Sequence, residues 1–176
     1  MKEVFVMFAG YNKEANRALI GILDKMSNEE REKARGSYYK SLSGIAAHIL
    51  GGACFILGMF RDAAGKNAAA RKALASLGKV TVPEGRLTED QWKKLAADIK
   101  TADDAHVKFV SALSEAEFSA PVKTDWYGGK PAAVPLHFML GQLAVHGTHH
   151  RGQVSQILDK LKIDNDWSGI NVRHLY

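Results

Sequence analysis

Apolar residues at Val4, Phe5, Phe8, Tyr11, Ala15, Ala18, Leu19, Ile22, Leu23 and Met26 fall on one side of a helix when each residue turns by about 100°. A first long helix is expected there. Ser27 with Glu30 has the residue types of a capping box, and Gly36 interrupts the polar stretch that follows. From about Tyr38 to Phe60 a second long helix is expected. Its segment SLSGIAAHILGGACFILGMF is apolar nearly all round, as in a helix covered on more than one side. The pattern weakens from Arg61 to Arg86, and VTVPEGR at 80–86 reads as a connection. Thr88 and Gln91 then form a second capping-box pair. They open a helix whose stripe runs Trp92, Leu95, Ile99, Ala102, His106, Phe109, Val110 and Leu113. Between Pro121 and Pro135 the breakers of VKTDWYGGKPAAV predict an irregular or hairpin-like link. A fourth helix follows from about Leu136 to Leu161, and DNDWSGINVRHLY at 164–176 reads as a tail.

Four amphipathic segments without a convincing strand predict an all-α four-helix bundle. The connection between the second and third helices is long enough to cross it. The length, 176 residues, fits a single domain over 1–176. With 46% hydrophobic and 24% charged residues and 4 prolines, disorder and fibrous classes are excluded.

Charge adds little direction. Lysine and arginine number 24 against 19 aspartates and glutamates, a net charge of +5, but the two signs are interleaved in EEREKARG and EDQWKKLAADIK. Only 65–79, GKNAAARKALASLGK, is basic without acidic residues, and it reads as a basic connection; a nucleic-acid partner is not expected. Cys54 is the sole cysteine, which rules out an intramolecular disulfide and suits a reducing cytoplasm. No run approaches the roughly 18 uninterrupted apolar residues of a membrane span, and the N-terminus lacks a signal-peptide pattern.

Chemistry gathers in HGTHHRGQ, residues 146–153. Laid on the stripe set by Leu136, Met139, Leu140, Leu143, Val154, Ile157, Leu158 and Leu161, His150 lies about 30° from its centre and His146 about 70° on the same side. His149 is about 130° away and faces outward. His146 and His150, four residues apart, can close on one ion, and a buried histidine pair sharing hydrogen bonds is the alternative. Gly147 sits near the middle of the stripe; it leaves room either for a metal and its ligand or for close helix packing. For a third ligand, periodicity slightly prefers His106, with Asp103 one turn earlier, over His48 in GIAAHILGG. Gln153, about 20° from His146, could orient a water or a ligand, and Arg151 at the stripe's other edge could meet an anionic substrate. Cys54 is about 120° from His48 around the helix and reads as a small buried hydrophobe. His137 and His174 read as ordinary polar residues.

YNKEANRALIGIL at 11–23, GSYYKSLSGIAAHIL at 36–50 and AVHGTHHRGQVSQIL at 144–158 resemble, in order and spacing, the DinB-like (DinB/YfiT-like) metalloenzymes. The resemblance implies a four-helix bundle holding one divalent metal, zinc or nickel before other imidazole-binding ions, through His48, His146 and His150. It makes His48, not His106, the third ligand. His149 reads by itself as an outward polar residue and the best candidate to support the ligands from outside. The resemblance also implies a small-molecule substrate, in some relatives a low-molecular-weight thiol, with S-transferase or hydrolase chemistry in stress or detoxification, and a homodimer. A metal-binding, non-catalytic stress-response bundle is the alternative. Many relatives carry an acidic residue five positions after the second-helix histidine; here Ala53 stands in that place, so a carboxylate role would pass to Asp103 or Asp104.

Overall fold

The structure, a computed structural model, describes residues 1–125, 129 and 132–170. Among these, six α-helices and one small sheet follow in the order α1 (Lys2–Leu23), α2 (Asn28–Glu32), α3 (Leu42–Ala63), α4 (Ala68–Ala75), α5 (Glu89–Ala112), β1 (Pro121–Thr124), β2 (Ala132–Pro135) and α6 (Leu136–Lys160). Four of the helices are long. α1 packs on α5 and α6, and α3 packs on the same two, so the contacts close into a circuit α1–α5–α3–α6. The long connection from 64 to 88 therefore joins two neighbours, α3 and α5. The chain steps across the circuit instead between α1 and α3 and between α5 and α6.

Local chemistry sets the boundaries. The Ser27 hydroxyl accepts from the Glu30 amide and starts α2, a short helix separate from the next long one. That next helix begins at Leu42 and not near Tyr38, because Ser41 caps it by accepting from the Gly44 amide while Lys40 takes a left-handed φ of 66° just before. The expected capping box of Thr88 and Gln91 opens α5, with both reciprocal bonds formed. The basic segment 65–79 folds as α4, capped by Asn67, and a 3-10 turn at Ser76–Lys79; Ala70, Ala73, Leu74 and Leu77 are buried while its lysines and arginine stay outside.

The link before α6 takes the hairpin-like form expected of it, and so adds two short strands to a chain otherwise read as without a convincing one. Pro121 to Thr124 pairs antiparallel with Ala132 to Pro135, Val122 facing Val134, and Val122 is buried. Most of the turn joining these strands lies outside the described residues, as does 171–176 with His174.

The core runs through all four long helices: Leu19 and Leu23 from α1, Ile45, Leu50 and Phe60 from α3, Trp92 and Phe109 from α5, Leu140, Val154 and Leu158 from α6. By length and composition α3 is apolar enough to cross a membrane, a test that buried core helices also meet. The tail returns to the helices. Tyr11 donates to the Trp167 carbonyl at 2.7 Å, and Ser155 to Asn165 Oδ1 at 2.6 Å.

Candidate metal centre

α3 and α6 pack side by side, and their contact brings His48 against His146 and His150. One nitrogen from each of the three rings lies within 4.8 Å of the other two. His48 Nε2 and His146 Nε2 are 3.1 Å apart, and the ring centroids of His150 lie 4.4 Å and 4.5 Å from those of His48 and His146.

Each ring is held from a different side. His150 Nδ1 faces Gln153 Oε1 at 2.9 Å; an amide oxygen only accepts, so Nδ1 carries the proton and Nε2 is left with its lone pair. Gln153 Nε2 in turn lies 3.4 Å from His149 Nε2, so the exposed His149 supports His150 through the amide. The Tyr39 hydroxyl lies 2.8 Å from His48 Nε2 and the Tyr39 ring stacks on the His48 ring, centroids 4.0 Å apart. His146 rests against bare backbone: a methyl group placed on Gly52 would come within 2.2 Å of its Cε1.

Burial lowers the pKa of all three histidines. For His146 it is lowered to about 4, burial acting first and the neighbouring imidazoles His150 and His48 adding to it. All three are neutral at pH 7, the form that binds metal. His146 Nδ1 is buried without a hydrogen-bond partner, and its Nε2 has only another imidazole. Three facing neutral imidazoles, one with a buried nitrogen that has no partner, are the donor set of a soft-to-borderline divalent ion. The residues fit such a metal.

His106 does not join the three. It is buried in α5, and burial alone lowers its pKa to about 4. Among the described residues no carboxylate completes the group either. Asp104 pairs with Lys13 at 2.6 Å, and Ala53 packs against the core. The Cys54 thiol is pushed up to about 11 by burial and then by Asp98, which suits the role of a hydrophobe. His137 faces the Phe118 carbonyl through Nδ1 at 2.9 Å.

Arg151 and Asp103 lie elsewhere than the sequence suggested. Arg151 is 0% exposed and meets no substrate face. It donates to Asn12 Oδ1 at 2.7 Å and Asn16 Oδ1 at 2.9 Å, and both asparagine amides donate onward to Asp103 Oδ1 at 3.0 Å. Two amides thus bridge a buried cation to a buried acid. Gly147 serves this network: a methyl there would stand 2.7 Å from Asn12 Oδ1 and 3.0 Å from Arg151 Nη1, so its room is taken by close packing.

Sequence reasoning missed Tyr39, Gly52, Asn12 and Asn16. The adjacent glycines in HILGGA, costly inside a helix, were the available signal for Gly52. For the asparagines it was two amides four residues apart on an otherwise apolar stripe.

Neither a curated protein nor a solved structure matches the chain. A family model does: residues 1–161 match that of the DinB family, and the chain belongs to this family.

Proposed function

We propose that this DinB-family chain is a divalent-metal-binding protein in which His48, His146 and His150 hold one ion, zinc or nickel, for thiol-dependent S-transfer or hydrolysis of a small molecule. The circuit of four long helices supports reading the fold as the family's four-helix bundle. The observation that carries the metal reading is the meeting of three neutral imidazoles with ligand nitrogens within 4.8 Å, one of them already set by Gln153 in the binding tautomer. Three protein ligands are the number found at catalytic zinc, where structural sites have four.

When bound, such an ion acidifies a water or thiol and polarises a substrate oxygen. The chain's own part is to fix the ligands. Gln153 keeps the proton of His150 on Nδ1, α3's glycine step lets His146 lie against the backbone, and Tyr39 offers a hydroxyl at the edge of the cluster that can donate to or accept from a substrate.

A second reading, a metal-binding protein without catalysis, is favoured by one feature: Ala53 stands where many relatives carry an acid, and no carboxylate joins the histidines among the described residues. Screening thiols with electrophiles on zinc- or nickel-loaded protein separates the two. The enzyme reading expects turnover that disappears with the metal and with His146→Ala. Turnover that survives complete metal removal contradicts it, and no turnover with a fully bound ion favours the second reading.

A further inference from the structure

Charge is unevenly spread along this chain. Residues 65–79 carry four cations, Lys66, Arg71, Lys72 and Lys79, and no acid, whereas the rest of the chain holds 20 cations against 19 acids. Nearly all of the net charge of +5 therefore sits in this one segment. Folding does not neutralise it. The segment buries Ala70, Ala73, Leu74 and Leu77 and leaves all four cations exposed, and none of the four is in an ion pair among the described residues.

Where this segment packs on α5, a cavity of about 710 Å³ opens to the surface. Lys72 and Ser76 line one side, Thr101, Asp104, Lys108 and Ser111 the other, and the remaining lining residues are alanines. Lys108, like Lys72, is exposed and outside the ion pairs of the described residues. The acids nearby are already committed. Asp104 pairs with Lys13 at 2.6 Å, and Glu117, beside the start of α4, accepts from Asn67 Nδ2 at 3.1 Å and the Ser114 amide at 2.7 Å. What is left over is a set of ammonium and hydroxyl donors, the groups that hold phosphate oxygens.

The lining also selects among polyanions, because it includes no aromatic or large aliphatic side chain. A docked peptide helix needs such an anchor, a membrane surface needs one to insert, and a single strand needs rings on which to stack its bases. A duplex held through its phosphates needs none of these. Interleaved signs argue against such a partner elsewhere on the chain, but on this face the signs are not interleaved. We propose that the face formed by α4 and α5 binds the phosphate backbone of a nucleic-acid duplex without sequence preference. Lys72 and Lys108, with the hydroxyls between them, hold the phosphates, and Lys66, Arg71 and Lys79 extend the contact. The surface is separate from the three histidines, since α5 stands across the helix circuit from α6, and it does not depend on a metal.

Fluorescence anisotropy of a labelled DNA duplex of about 20 base pairs, titrated with the full chain between about 50 mM and about 200 mM salt, is the test. Two duplexes of unrelated sequence are expected to bind equally, with an affinity that falls steeply as salt rises. The double variant Lys72→Gln, Lys108→Gln is expected to bind about tenfold more weakly at the lower salt and to flatten the logarithmic salt dependence by about 2. Removing the same charge elsewhere, with Lys123→Gln on β1 and Lys160→Gln at the end of α6, is expected to leave that slope unchanged. All four side chains are exposed, so both variants should melt as the wild type does. No duplex binding at about 50 mM salt, or equal losses in the two double variants, would overturn the proposal. So would binding of the single strand, of poly-glutamate or of phosphatidylglycerol vesicles as tightly as the duplex.

Discussion

One polar cluster buried in this helical core and one half-buried beside it are finished to different degrees. In the first, Arg151, Asn12, Asn16 and Asp103 pair across three helices: the guanidinium donates to two amide oxygens and the two amides donate to the acid, with only Arg151 Nε left over. In the second, His48, His146 and His150 face one another as neutral rings, and His146 Nδ1 has no partner. Both clusters use α6, through consecutive residues His150 and Arg151. The lesson is that a closed network holds a fold together, whereas an open one is built for something that is not polypeptide.

The largest expected effect falls on the closed network. Arg151→Ala strands a buried acid and two amide oxygens and should cost about 3–5 kcal/mol in chemical denaturation. The deficit has a pH sign. Burial raises the Asp103 carboxyl to about 7, above its unfolded value of 3.8, so its contribution to stability is full below the unfolded value and is lost as pH rises through about 7. Without Arg151 the ionised form is worse still, so the variant's deficit should be larger at pH 7.5 than at pH 5.5. A deficit that does not change over this range would show that Asp103 is not the group left stranded.

His146→Ala should behave differently. In chelator it removes a ring with a poorly used nitrogen, and denaturation should move by no more than about 1 kcal/mol. With metal present at about a hundred times its dissociation constant, the wild type should gain about 2.7 kcal/mol that the variant lacks. An equal gain in both proteins would close the distinction between the two clusters.

A sharper contrast comes from making one substitution in both places. Alanine is ordinarily preferred over glycine inside a helix by about 1 kcal/mol. At Gly147 the new methyl meets Asn12 and Arg151, which their hydrogen bonds hold in place, so Gly147→Ala should destabilise by about 1–3 kcal/mol. At Gly52 it meets the tip of the His146 ring, which can turn away; Gly52→Ala should leave stability near or above wild type and weaken metal binding severely. Thermal melts in chelator paired with metal titrations read both. The smallest effect is expected of Tyr39→Phe, which removes the hydroxyl 2.8 Å from His48 Nε2 and should change metal affinity by no more than about tenfold.

Much of this is legible in the chain. The long helices follow from apolar stripes and, for α5, from the cap at Thr88, and the helical wheel of α6 by itself turns His146 and His150 inward and His149 outward. His48 is not legible from periodicity, because α3 is apolar nearly all round and gives no face against which to measure a histidine; only the family resemblance singles it out. Asn12, Asn16 and Arg151 are misjudged for a related reason. A polar residue on an apolar stripe is discounted as an interruption or given to solvent, and its partner on another helix is not visible in one dimension. The Ser41 cap is hidden among flanking residues that also read as helix, and the short strands by their length of four residues.

The central claim is that three histidines from two helices make one metal site, and that His106 is no part of it. Competitive metal titration of protein purified without chelator or a histidine tag tests this directly, comparing wild type with His48→Ala and His106→Gln. The account predicts about one divalent ion per chain, an affinity lowered more than about a hundredfold in His48→Ala, and an unchanged affinity in His106→Gln. An affinity that survives His48→Ala, or that is lost in a folded His106→Gln, would contradict it.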